Sequence, residues 1–107
     1  MTDLASQAIQ ILDHLNRNSG HKFRPVPANL RFLIARLSEG YSARRIKWVA
    51  AHKILEWSKD PRMQTYIRPK TLFNATNFAQ YDGQTPEEPA DDAEQTHLPE
   101  VSRPAGA

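Results

Sequence analysis

A chain of 107 residues without a cysteine has room for one domain and offers neither a disulfide framework nor a thiolate metal or redox site. Its formal net charge of +2 conceals a division: residues 1–81 hold 13 Lys and Arg against 5 Asp and Glu, and residues 82–107 hold 1 against 7. With no run of about 20 apolar residues and no basic-then-apolar leader, the sequence predicts no membrane insertion or export, and the cytosol is the simplest compartment.

In chain order, Leu4, Ala8, Ile11, Leu12 and Leu15 recur at helical spacing and predict a first helix over residues 3–18, capped by Thr2 or Asp3. Asn18-Ser19-Gly20 stops it, with Gly20 suited to the left-handed position after a helix. Two prolines in the stretch from His21 to Pro27 remove donors and push their predecessors out of helical space, which predicts an extended or turning link anchored by Phe23. A second helix is expected from Pro27 to Glu39, with Leu30, Leu33, Ile34 and Leu37 on one face and Gly40 as its terminator. The stretch from Tyr41 to Trp57 is the longest helical pattern and holds both tryptophans. Ile46, Val49, Ala50, Ile54 and Trp57 share one face while Trp48 and Leu55 lie nearly opposite, so this helix needs neighbours on both sides. Ser42 is its expected cap, yet Arg44 and Arg45 then stand in the first turn, where the helix dipole favours acids.

Asp60-Pro61 and Pro69 each read as the start of a short helix, and Leu72, Phe73, Phe78 and Tyr81 fall in a broken helix expected to fold back over the others. The predicted class is all-α, a small compact bundle of three main helices plus short C-terminal helical pieces over residues 1–81. Residues 82–107 contain four of the eight prolines and no aromatic residue. They bury too little apolar surface to offset the entropy of ordering, which predicts a disordered, acidic, Pro-rich tail.

No catalytic constellation emerges. His14, His21, His52 and His97 fall in separate segments, the five acids of the body are scattered, and the four glycines are isolated. The sequence therefore predicts no zinc site, no phosphate-cradling loop, no cofactor and no enzymatic activity. What remains is charge. Lys22 and Arg24, then Arg44, Arg45 and Lys47, then Arg62, Arg68 and Lys70 form three clusters at loops or helix starts, mixed with Phe23, Trp48 and Tyr66. Together they suit a phosphate-binding surface with little base specificity; the plainer reading is a solvated basic surface that aids solubility. Arg44, Arg45 and Lys47 are the first choice for phosphate, because a bound anion would rationalise cations at a helix N-terminus. The acidic tail is expected to compete for the same surface. A helix-turn-helix reading places the central helix in a DNA groove, but Trp48 and Leu55 occupy the face that a recognition helix keeps polar.

Ile11-Leu12-Asp13-His14-Leu15-Asn16, Lys22-Phe23-Arg24-Pro25, Glu39-Gly40-Tyr41-Ser42, Glu56-Trp57, Asp60-Pro61 and Arg68-Pro69-Lys70-Thr71-Leu72-Phe73, closing on Phe78 and Tyr81, stand in an ordered series. That series resembles the conserved phage C-terminal domain family of phage and prophage replication proteins, which is similar to the C-terminal domain of DnaD-type primosome proteins. The resemblance covers about residues 9–81. It implies a non-enzymatic helical module of DNA replication in the bacterial host cytoplasm, binding DNA or supporting primosome and helicase-loader assembly. Its implied partners are DNA and a replicative helicase, helicase loader or other host replication protein. Lys22, Arg24, Arg44, Arg45, Lys47, Arg68 and Lys70 are the candidate nucleic-acid contacts, and Trp48 and Tyr66 the candidate partner contacts. The alternatives are an adaptor or inhibitor that binds a host replication protein without touching DNA, and a helix-turn-helix regulator. Ile54 and Trp57 match half of a Tyr-x-x-x-Ile-x-x-Trp element linked to DNA binding in the DnaD-type domain, with Ala50 where the tyrosine would stand.

Overall fold

Each helix begins where the sequence supplies a cap or a proline. In the computed structural model, which describes residues 3–88, α1 runs Leu4–Ser19, α2 Pro27–Ser38, α3 Ala43–Trp57, α4 Pro61–Gln64, α5 Pro69–Leu72 and α6 Ala75–Gln84, with no strand among the described residues. The side chains of Asp3, Ser42, Asp60 and Asn74 accept from the backbone N–H groups of Ser6, Arg45, Arg62 and Asn77, satisfying donors that a helix start leaves open. Pro27 and Pro69 open α2 and α5, which have no side-chain cap; a missing N–H does no harm at that position. Gly20 closes α1 at φ 79°, donating its N–H to the Asn16 carbonyl from a conformation that a Cβ would strain.

The Asn16 side chain then fastens the following loop. Its Nδ2 donates to the Phe23 carbonyl and its Oδ1 accepts from the Phe23 N–H, both at 2.9 Å. The link after α1 is therefore held by its backbone as well as by the Phe23 ring, which packs partly buried against the core.

α1 lies against both α2 and α3, α5 packs on α2, and α6 returns over α3 and α5. Ile11, Leu15, Leu33, Ile46, Ile54, Phe73 and Phe78 are completely buried in the shared cluster. Tyr41 meets Phe78 edge-on at 4.8 Å and Trp57 meets Tyr81 at 5.6 Å, pairs worth about 0.5–1.5 kcal/mol each beyond their burial. Ile46, Val49, Ala50, Ile54 and Trp57 face this core as their spacing predicts.

The end of the body departs from its predicted place. α6 continues through Asp82 to Gln84, past the point where the composition turns acidic, and Pro86 and Glu88 then lie against α3. The disorder expected of residues 82–107 is thereby corrected for Asp82 to Glu88, whose carboxylates and carbonyls are bound by α3 side chains that composition alone does not locate. The rest of that expectation, over residues 89–107, lies outside the described residues.

Candidate nucleic-acid interface

The first turn of α3 is occupied by the chain itself. Arg45 projects toward the end of α6 and uses all five of its N–H donors: Nε to the Asp82 carboxylate at 2.6 Å, Nη1 to the Glu88 carboxylate and the Pro86 carbonyl, both at 2.8 Å, and Nη2 to the carbonyls of Asp82 and Thr85 at 2.9 and 3.0 Å. Trp48 Nε1 donates to the same Pro86 carbonyl at 3.0 Å. Burial disfavours charge on Arg45, but the hydrogen bonds and charges of Asp82 and Glu88 outweigh it and raise its pKa above the usual arginine value. Burial likewise pushes the Glu88 carboxyl up, yet its own backbone N–H and the charges of Arg45 and Arg44 hold it below the ordinary range. Two arginines at a helix N-terminus thus have a partner within the chain, an acidic strap from Asp82 to Glu88. With its donors filled, Arg45 is a clamp for that strap and not a phosphate contact in this state. Trp48 is buried beneath the strap, the second neighbour that its face of α3 requires, so it is not displayed to a partner. Arg44 and Lys47 stand half-buried on the same turns.

The other two basic clusters meet. His21 Nε2 lies 3.4 Å from the Gln64 carbonyl, and Asn18, Ser19 and His21 line a cavity of about 100 Å³ with Ile54, Gln64 and Ile67. The loop after α1, the end of α3 and the α4–α5 link therefore share one end of the bundle. In the segments that meet there and continue into α5, Lys22, Arg24, Arg62, Tyr66 and Lys70 are exposed and Arg68 is half-buried. Asp60 pairs with Arg62 at 3.5 Å, and no carboxylate of the described residues pairs with Lys22, Arg24, Arg68 or Lys70. Arg68 donates from Nε to Thr71 Oγ1 at 2.8 Å and lays its guanidinium 5.3 Å from the centre of the Tyr66 ring. α3 spans roughly 20 Å, so Arg45 in its first turn is well separated from this end.

Three polar side chains are buried for structural reasons that the sequence conceals. Arg36 donates from Nε and Nη2 to both oxygens of Glu39, at 2.8 and 2.7 Å, and from Nη1 to the Phe73 carbonyl at 2.7 Å, tying α2 to the end of α5. Lys53 places Nζ 4.7 Å from the Tyr81 ring centre and 5.7 Å from that of Trp57, within reach of Glu56 and Gln84. His14 is 5% exposed with neither ring nitrogen hydrogen-bonded, and its pKa falls to about 4 through burial and the nearby charges of Lys47 and Arg17. Helical spacing places each residue on its face, but no sequence signal names the distant carbonyl or ring.

These features define a class: a small all-α module with a basic loop end and an arginine-clamped acidic strap. Residues 11–82 match the model of the conserved phage C-terminus family, and the chain belongs to it. No curated protein and no solved structure matches the chain. The family match ends at residue 82, so most of the strap lies beyond it. Within the match, Ala50, Ile54 and Trp57 are buried core, which gives the second half of the Tyr-x-x-x-Ile-x-x-Trp pattern a packing role here. No helix among the described residues is long and apolar enough to cross a membrane.

Proposed function

We propose that this chain is a non-enzymatic module of phage DNA replication that binds DNA phosphates through its basic loop end and in doing so supports primosome or helicase-loader assembly. One observation carries the reading: the fold brings the segment that holds Lys22 and Arg24 against the one that leads into Arg68 and Lys70, without carboxylates from the described residues to neutralise these four cations. Ammonium and guanidinium groups so placed attract a polyanion and release its counterions, giving binding that weakens steeply with salt and reads little sequence. Membership in a phage family is compatible with a replication role.

The test is a titration of the full chain with DNA at about 50 and 200 mM salt, with an Arg24→Ala/Arg68→Ala/Lys70→Ala variant beside it. Salt-sensitive binding lost in the variant is the expected result. A second reading, an adaptor that binds a host replication protein without DNA, draws on Val26 and Tyr66, both more than 40% exposed. Absence of DNA binding, with recovery of a replication protein from nuclease-treated lysate in a Tyr66-dependent way, would favour it.

A further inference from the structure

We propose that the loop end takes single-stranded nucleic acid in preference to duplex, with Tyr66 as the platform on which an unpaired base stacks. The inference rests on the nucleic-acid reading above and names the ligand class. Tyr66 is 43% exposed, the highest value among the aromatic residues that remain uncovered, yet it is not a loose side chain. Its N–H donates to the Met63 carbonyl and its own carbonyl accepts from the Arg68 N–H, both at 2.9 Å, which fixes the backbone between α4 and α5. The Arg68 guanidinium lies over one face of the ring, 5.3 Å from its centre, and Thr71 fixes Arg68 in turn, so the cation–π pair is organised before any ligand arrives and a base would take the opposite face.

A held, solvent-facing ring among unneutralised cations suits one chemistry in particular. An unpaired base offers its π-face to such a ring, while Lys70 in the flanking segment and Lys22 beside the His21–Gln64 contact can follow the phosphates. Duplex DNA keeps its base faces inside the stack, so it meets the charges but not the ring. The phenol hydroxyl adds nothing to stacking, and phenylalanine should serve as well.

The experiment uses the full chain and fluorescently labelled oligothymidylate, against a hairpin duplex of the same nucleotide count, at low salt. The wild type, Tyr66→Ala and Tyr66→Phe are compared, with thermal unfolding confirming that the exposed position leaves the fold intact. Expected are tighter binding of oligothymidylate than of duplex and a loss of about 5- to 100-fold for oligothymidylate in Tyr66→Ala. Duplex affinity and the salt dependence should stay unchanged in that variant, and Tyr66→Phe should retain binding. Equal affinity for both forms, untouched by Tyr66→Ala, overturns the stacking inference and leaves the phosphate-binding reading standing. Failure of the wild type to bind either form overturns both.

Discussion

His14 shows how one residue can set the acid limit of the fold. Its imidazole is buried on α1 with both nitrogens unpartnered, and Lys47 and Arg17 add positive charge nearby against the single opposing charge of Asp13. The folded pKa of about 4 lies below the ordinary 6.5, so the unfolded chain takes up the proton first. Stability from this group is therefore complete above pH 6.5 and drains away as the pH falls toward 4, by up to roughly 3 kcal/mol. Thermal unfolding across that window should show a steep fall in Tm that His14→Leu flattens, with the variant neutral or stabilising at pH 7 because no buried nitrogen is left unpaired. Arg36 works in the opposite sense. Its guanidinium satisfies the Phe73 carbonyl deep in the structure, and Arg36→Met should cost about 2–3 kcal/mol in chemical denaturation, with Lys a poor substitute for a planar group that forms three bonds in fixed directions.

At the scale of elements, the helices were legible because their punctuation is local. Asp3, Ser42, Asp60 and Asn74 cap, Pro27, Pro61 and Pro69 start, and Gly20 stops, and each acts within four residues of itself. The break between α5 and α6 follows from the same logic, since Asn74 restarts a helix just after Leu72 ends one. What the sequence concealed are bonds across long separations. Arg45 reaches residues 37 to 43 positions away, and nothing at the start of α3 announces that its anion is Glu88 and not a ligand phosphate. Trp48 carried a fair hint, because an apolar residue opposite the main stripe demands a cover. Arg45→Ala should strand the Thr85 carbonyl, remove a donor from the Asp82 and Pro86 carbonyls and from two carboxylates, fray the last turn of α6 and cost about 1–2 kcal/mol, since the pairs are partly solvated. Hydrogen exchange at Thr85, whose N–H donates to Asp82, should accelerate in that variant more than exchange in α1.

For the whole molecule, the +8 and −6 halves of the sequence do not map onto body and tail. Part of the negative charge is built into the fold at one end of α3, which leaves the other end as the basic pole. Of the seven candidate nucleic-acid contacts, Lys22, Arg24, Arg68 and Lys70 belong to the two segments that meet through His21 and Gln64, whereas Arg44, Arg45 and Lys47 stand in the first turns of α3. The clusters themselves could be read from the sequence; which of them meet depends on how α1 crosses α3, a tertiary fact. Truncation should separate the two roles of the acidic segment. Ending the chain after Glu88 removes four acids and one arginine, and should keep the unfolding transition while tightening DNA binding at low salt. Ending it after Tyr81 removes the strap from Arg45 and Trp48 and should lower Tm outright.

The placement of the two tryptophans also gives the molecule a pair of separate optical reporters. Trp48 touches the His52 ring at 4.7 Å and the strap, while Trp57 is enclosed by Tyr81 and Lys53 at the opposite end of the same helix. Release of the strap should redden Trp48 emission and spare Trp57, so a Trp57→Phe chain isolates the first signal and Trp48→Phe the second. Oligonucleotide added to either chain then distinguishes a ligand that docks at Tyr66 with the strap in place from one that must lift it.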